Sequence, residues 1–168
     1  PDLNKNNVRL DAIGQIYRLP ENVQEQLKKS IATLAKNNGL TLVLALSYGG
    51  RNEIVEAVRA IAEKVRRGQL EPSDITEQTV SQHLWTRHLP DPDLLIRTSG
   101  EMRVSNFLLW QLAYTELYFT ETLWPDFNAA ALDAAIASYA RRERRFGRTS
   151  EQLEEAQSSS PAASSVVA

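Results

Sequence analysis

Residues 40–46, Leu-Thr-Leu-Val-Leu-Ala-Leu, form an almost unbroken apolar run. Such a run is typical of a parallel strand that is covered on both faces. The polar turn Ser47-Tyr48-Gly49-Gly50-Arg51 follows directly, and Ile54, Val58 and Ile61 then recur at helical spacing. The sequence therefore predicts a buried strand that leads through a tight turn into a helix.

The same alternation of strand and helix continues on both sides of this stretch. Residues 8–13 alternate as a strand, and a helix is predicted from Pro20 to Asn38. A second buried strand is predicted at Asp93–Ile96. Further predicted elements are a helix over 76–84, a short buried helix over 106–114, a strand over 116–120 and a helix around 132–139. This order predicts an α/β fold, a parallel β-sheet flanked by helices.

Length and composition limit the classes of protein that need to be considered. The 168 residues carry a formal net charge of -2 and no cysteine, so a nucleic-acid partner, a disulfide framework and a thiolate metal site gain no support. No apolar run is long enough for a membrane helix. We expect one domain portion over residues 1–149 and a disordered tail over 150–168, in which Ser, Ala, Pro and Val dominate from Ser158 onward.

The loop over residues 97–106 follows the second buried strand and carries two arginines. Guanidinium groups match phosphate oxygens, so Arg97 and Arg103 could clamp a diphosphate, with Gly100 letting the backbone come close. The alternative is a pair of surface arginines that form ordinary ion pairs with Glu101. The position directly after a buried strand favours the binding function.

Three other features allow more than one interpretation. Glu116 stands in an apolar segment, so it either pairs with an arginine or binds a hard cation such as Mg²⁺. The turn at 47–51 resembles a phosphate-holding strand-to-helix turn, but its signal is weak alone. His83 and His88 lack acidic or cysteine neighbours and are expected to be structural or exposed.

Three segments resemble landmarks of one enzyme family. Residues 93–127, DLLIRTSGEMRVSNFLLWQLAYTELYFTETLWPDF, resemble the last signature region of the cis-prenyltransferases. Residues 47–58, SYGGRNEIVEAV, and residues 142–147, RERRFG, resemble two more landmarks in the same order. The resemblance extends from Val8 to Gly147 and is strongest to the bacterial members, which make undecaprenyl diphosphate.

The resemblance implies a reaction and its partners. Members of this family condense isopentenyl diphosphate with an allylic diphosphate such as farnesyl diphosphate, in cis and with Mg²⁺. It further implies a homodimer in the cytoplasm, with peripheral contact to the inner face of the plasma membrane through the lipid product. The aromatic segment 106–119, with Trp110, Tyr114, Tyr118 and Phe119, is the expected dimer contact.

Site residues are implied by the same resemblance. Arg97, Arg103, Val104 and Ser105 would bind the diphosphate of isopentenyl diphosphate, and Glu116 would be the metal ligand. Glu101 would orient the arginines. The supporting residues would be Gly100, Ser47, Gly49, Gly50 and Arg51. Arg145 and Gly147 match an Arg-x-Gly element that reaches into the neighbouring subunit's active site in family dimers.

Departures from the family pattern point to an incomplete site. Met102 stands where some bacterial members carry a metal-associated histidine. The family's aspartate-glycine turn, its N-terminal strand and its tunnel helices are not matched, so no catalytic residue is assigned, and we expect the chain alone to be inactive. A non-catalytic partner subunit is the alternative, although such subunits tend to lose the loop that is retained here. The all-helical trans-prenyltransferases are disfavoured because no Asp-Asp pair occurs.

Overall fold

The structure, a computed structural model, describes residues 2–142. In this part the chain forms two compact units, one of residues 2–92 with 103–113 and one of residues 93–102 with 114–142. Each unit contains a pair of parallel strands and at least one helix. The predicted α/β class, with parallel strands flanked by helices, is confirmed. The prediction of a single domain portion over 1–149 stays a prediction.

The first unit is built on strands β1 (Arg9–Ile13) and β2 (Thr41–Ala45), which pair in parallel with Arg9 opposite Thr41. Its helices are α1 (Asp2–Lys5), α2 (Glu21–Leu34), α3 (Gly50–Arg66) and α4 (Glu77–Ser81), with 3₁₀ turns at Ile16–Arg18 and Pro72–Asp74. Parallel strands need a crossover, and α2 supplies it. Gly14 ends β1 at φ +109, where a Cβ would overlap the carbonyl oxygen of Leu46.

The core of the first unit is small and contains polar as well as apolar side chains. Its buried apolar side chains are Val8, Leu10, Ile13, Leu34, Ala57, Ile61 and Leu84, and its buried polar ones are Gln15, Glu53, Thr86 and Gln111. Helix α3 turns Glu53, Ala57 and Ile61 inward, at intervals of four residues, whereas Val58 is 54% exposed. The predicted apolar stripe was therefore wrong at Val58. The inward face of the helix contains the carboxylate of Glu53, and Val58 lies on the exposed side.

The second unit pairs strands β3 (Leu94–Arg97) and β4 (Glu116–Phe119) in parallel, with Leu94 opposite Glu116. A 3₁₀ turn at Gln111–Tyr114 precedes β4, and another lies at Trp124–Asp126. Helix α5 (Ala129–Ala140) packs on β4 and buries Ala135 completely. Asn128 caps this helix, since its side-chain oxygen accepts a hydrogen bond from the Ala131 N–H at 3.1 Å.

Two further predictions about individual elements were wrong. Residues 40–46 are not covered on both faces, because Leu40 is 71% and Leu42 38% exposed. The helix over 106–114 forms only the 3₁₀ turn near its end, since Asn106 and Leu108 have φ values of +60 and +45, which a right-handed helix cannot contain. The helix over 76–84 is confirmed in part and ends at Ser81. Among the described residues, no helix has the length and apolar character needed to cross a membrane.

Candidate functional site

Arg97 is the last residue of β3 and lies at the carboxyl end of this strand. Its side chain is half-buried, and it makes no hydrogen bond or ion pair with any described residue. Ligands of parallel α/β sheets bind beyond the carboxyl ends of the strands. A guanidinium group without a carboxylate partner at such a place is suited to an anion.

Backbone hydrogen bonds hold the turn that follows Arg97. The N–H groups of Ser99 and Gly100 donate to the carbonyl oxygens of Thr122 and Thr120, both at 2.9 Å. Ser99 and Gly100 have φ values of +69 and +67. A Cβ on Gly100 would overlap the carboxylate of Glu121, so the glycine permits this close approach. Its predicted role beside a phosphate stays a prediction.

The remaining residues of the predicted diphosphate site are divided between the two units. Arg103, Val104 and Ser105 belong to the first unit, whereas Arg97 and Glu101 belong to the second. The side chains of Arg103 and Ser105 are exposed, and Ser105 is strained at φ +53. Convergence of these residues on one diphosphate stays a prediction.

The turn between β2 and α3 is closed by Asn106. The carbonyl oxygen of Asn106 accepts a hydrogen bond from the Gly50 N–H at 2.7 Å, and its Oδ1 accepts one from the Arg51 N–H at 2.9 Å. A Cβ on Gly49 would lie 2.9 Å from Nδ2 of Asn106. Two early amides of the helix are thus bonded within the protein. Phosphate binding by this turn, including the strained Ser47 at φ +46, would have to use its other donors.

A buried carboxylate lies directly behind this turn. Glu53 is 1% exposed, and its Oε2 accepts hydrogen bonds from the hydroxyl of Tyr48 at 2.5 Å and from Nε2 of Gln111 at 3.0 Å. Its Oε1 accepts the Thr86 N–H at 3.3 Å. Burial raises the pKa of the Tyr48 phenol well above its ordinary value, and the hydrogen bond and negative charge of Glu53 raise it further. This network was not predicted, since Thr86 and Gln111 lie 33 and 58 positions from Glu53 along the chain.

A polar cavity of about 440 Å³ opens beside the same turn, in the first unit. Its lining consists of Gln15, Arg18, Ser47, Tyr48, Gly49, Asn52 and Asn106. Arg18 is the charged residue of this lining. Sequence reasoning missed Arg18 because it lies in a 3₁₀ turn without a recognisable motif.

Glu116 opens β4, and its Oε2 accepts a hydrogen bond from Nη1 of Arg142 at 2.7 Å. Of the two interpretations from the sequence, the structure contains the arginine pair. No group of three His, Cys, Asp or Glu side chains within residues 2–142 is arranged to hold a metal ion. The described residues therefore do not by themselves fit a Mg²⁺ site at Glu116.

Other predicted residues take ordinary positions or lie outside the described part. His83 shares a hydrogen bond with the carbonyl oxygen of Thr79 at 2.7 Å, and His88 lies 2.6 Å from the carboxylate of Asp11. Met102 is 79% exposed. Arg145, Gly147 and the tail over 150–168 fall outside the described residues.

Comparison with known proteins identifies the family. The family model for undecaprenyl diphosphate synthases, a prenyltransferase family, matches residues 1–147. The chain belongs to this family. The cis-prenyltransferase resemblance of the three sequence segments is thereby confirmed.

Curated relatives and solved structures of this prenyltransferase family agree. Isoprenyl transferase of Porphyromonas gingivalis is 61% identical over 152 residues, which cover 90% of this chain and 60% of the relative. The (2E,6E)-farnesyl-diphosphate-specific ditrans,polycis-undecaprenyl-diphosphate synthase of Haemophilus influenzae is 52% identical, with 88% and 62% covered. The chain thus spans about three-fifths of the length of these relatives.

Two solved structures share the fold. Lavandulyl diphosphate synthase from Lavandula x intermedia, in complex with dimethylallyl diphosphate, superimposes with a TM-score of 0.82 at 50% identity, covering 84% of this chain and 61% of that one. A probable undecaprenyl diphosphate synthase from Campylobacter jejuni gives 0.75 at 39% identity, with 86% and 65% covered. These values place the prenyltransferase chain within the fold of its family.

Proposed function

We propose that this prenyltransferase chain provides the isopentenyl diphosphate half of a cis-prenyl transfer site. In the complete reaction, isopentenyl diphosphate condenses with an allylic diphosphate such as farnesyl diphosphate, and the product is a polyprenyl diphosphate of the undecaprenyl class. The observation that carries the proposal is Arg97, a half-buried guanidinium group at a strand end that has no carboxylate partner among the described residues. Family membership supplies the chemical context.

Each loop residue has a proposed role. Arg97, Arg103 and Ser105 bind the diphosphate oxygens, to which guanidinium groups form charge-assisted hydrogen bonds. Val104 contributes to the same subsite, and Glu101 orients the arginines. Arg145 and Gly147, outside the described part, are proposed to act in the site of a neighbouring subunit.

Mg²⁺ is the proposed cofactor of the complete reaction, where it would neutralise charge on a diphosphate. Glu116 is the carboxylate that the family resemblance offers for it. Because Arg142 already occupies Oε2 of Glu116, the ion would depend on substrate phosphates and further carboxylates for its other ligands. The roles of the loop arginines do not depend on this metal.

Calorimetric titration of the chain with isopentenyl diphosphate tests the half-site. Arg97→Gln and Arg103→Gln should each weaken binding about tenfold or more, since a hydrogen bond to a charged group contributes roughly 1.5–3 kcal/mol. Arg59→Gln is the matched control, because Arg59 is exposed and pairs with Glu56 on α3. Unchanged affinity in both loop variants would refute the proposed site.

We further propose that the protein is a homodimer in the cytoplasm, in peripheral contact with the inner face of the plasma membrane. The expected aromatic contact region is less exposed than its composition suggested. Tyr114 is 72% exposed, but the indole N–H of Trp110 donates to Oγ of Ser81 at 3.0 Å, and Tyr118 and Phe119 are half-buried in β4. Sedimentation of the chain at micromolar concentration would give a single monomer species if this contact does not form.

A further inference from the structure

The polar cavity of the first unit lies where ligands of α/β folds are usually found. Gln15 and Ser47, two of its lining residues, follow the carboxyl ends of β1 and β2 by two positions each. Its volume of about 440 Å³ falls within the ~300–1,000 Å³ of small-molecule sites. The location and size are those of a binding site.

A buried amide holds the Arg18 side chain at this cavity. Gln15 is only 7% exposed, and its Oε1 accepts a hydrogen bond from Nη1 of Arg18 at 3.1 Å. The Nε2 of Gln15 donates to the hydroxyl of Tyr17 at 2.9 Å, which fixes the orientation of the amide. Arg18 thus uses one N–H group on a neutral partner, and its other N–H groups remain available for a ligand.

The charge around Arg18 is uncompensated. No carboxylate among the described residues pairs with Arg18, and none lines the cavity. The neutral lining includes Asn52, in the first turn of α3, whose side chain makes no hydrogen bond within the described part. The positive end of this helix dipole adds to the attraction for an anion.

We propose that the cavity at Arg18 binds a phosphate or diphosphate group, with Arg18 as its charged ligand and Gln15 as the residue that positions it. The guanidinium N–H groups and neutral side-chain donors would form hydrogen bonds to the phosphate oxygens. The proposed function supplies the identity of the ligand, an isoprenoid diphosphate. Anion binding itself rests on the cavity alone.

Inorganic pyrophosphate, titrated into the full chain by calorimetry, is the probe. Arg18→Gln should weaken pyrophosphate binding at least fivefold. Arg18→Lys keeps the charge but loses the planar fork, so its affinity should lie between those of the wild type and Arg18→Gln. The wild-type affinity should decline with added salt, and this decline should be shallower in Arg18→Gln. Arg59→Gln, on an exposed face of α3, should bind as the wild type does.

Equal affinity of Arg18→Gln and the wild type, or no binding by the wild type at millimolar pyrophosphate, would overturn the inference. The outcome is separable from that of the proposed function. Isopentenyl diphosphate binding that depends on Arg97 but not on Arg18 would leave the function standing and remove the Arg18 site. If pyrophosphate binding depends on Arg18 while isopentenyl diphosphate binding does not depend on Arg97, the Arg18 site stands and the proposed function falls.

Discussion

Glu53 is a buried carboxylate whose hydrogen-bond donors are all neutral. Glu53→Ala would leave the Tyr48 hydroxyl and the Thr86 N–H without their acceptor, whereas the Gln111 amide keeps its hydrogen bond to Oγ1 of Thr86 at 2.6 Å. We expect the free energy of unfolding to fall by about 2–4 kcal/mol, since each buried group left without a partner costs roughly 1–3 kcal/mol. Urea denaturation measures the loss. Glu53→Gln keeps the shape and one acceptor and should lose less; an alanine variant as stable as the wild type would contradict this account.

Tyr48 makes stability depend on pH in the alkaline range. Its pKa is raised in the folded state, so its contribution to stability is complete below the unfolded value of about 10 and is lost as the pH rises through the folded value. The free energy of unfolding should therefore fall above a pH of about 10, and less steeply in Tyr48→Phe than in the wild type. Tyr114→Phe, at an exposed tyrosine, is the control and should follow the wild type. Identical slopes in all three proteins would exclude the effect.

The placement of individual candidate residues in the fold was predictable only where a local sequence pattern indicated it. Arg97 was predicted because it directly follows a recognisable apolar strand. The Arg142 partner of Glu116 was not, since it lies 26 positions away, and neither was the buried contact of Glu53 with Gln111, 58 positions away. Such pairings depend on how the chain folds back, which no spacing in the sequence encodes.

At the scale of elements, Asn106 joins its own loop to the start of α3. Asn106→Ala removes the hydrogen bond to the Arg51 N–H and places alanine at a φ of +60. Loss of a cap costs about 1 kcal/mol, and the left-handed conformation costs alanine roughly 1–2 kcal/mol more. Glycine tolerates the φ value, so Asn106→Gly should lose only the contribution of the hydrogen bond to the Arg51 N–H, about 1 kcal/mol. Thermal or urea unfolding should rank the wild type, the glycine variant and the alanine variant in that order; equal stability of the two variants would show that backbone strain has no part.

The ion pair between β4 and the end of α5 makes a prediction about metal binding. Because Arg142 holds Oε2 of Glu116, its guanidinium group competes with a divalent cation for that carboxylate. Arg142→Ala should bind Mn²⁺ more tightly than the wild type, by a few-fold, as measured by the loss of free Mn²⁺ signal in electron paramagnetic resonance. Arg59→Ala removes an exposed pair and should have no effect. Weaker Mn²⁺ binding by Arg142→Ala would mean that the arginine does not compete.

The strands and long helices followed from apolar periodicity, whereas short elements did not. β1, β2, β3, β4, α2, α3 and α5 were each predicted within a few residues of their bounds. The turn around Asn106 and Leu108 defeated the prediction of a helix, because backbone conformations with positive φ are set by packing and not by apolar spacing. β2 was expected to be buried because of its composition, but composition does not reveal which neighbours lie against a strand.

For the whole chain, we expect no prenyl transfer by the 168 residues alone. The carboxylate offered for Mg²⁺ is engaged by Arg142, and one carboxylate is a weak site for an ion that usually combines carboxylates with substrate phosphates. The assay is incubation with radiolabelled isopentenyl diphosphate, farnesyl diphosphate and Mg²⁺, followed by butanol extraction. Product in excess of a heat-killed control would show that donor and metal sites are complete in this chain.

Both strand pairs are parallel, and this has a consequence for synthesis of the chain on the ribosome. β1 cannot form a hairpin with the segment that follows it, because its partner is Thr41–Ala45, beyond the whole of α2. Until that partner has left the exit tunnel, Leu10 and Ile13 lack the strand with which β1 pairs in this structure. β3 likewise cannot pair until its partner strand, Glu116–Phe119, has been synthesised. During synthesis, a chain of this topology therefore exposes its apolar strand segments to solvent for longer than a hairpin protein of equal length. A chaperone that binds unfolded segments would contact the most apolar surface during that interval.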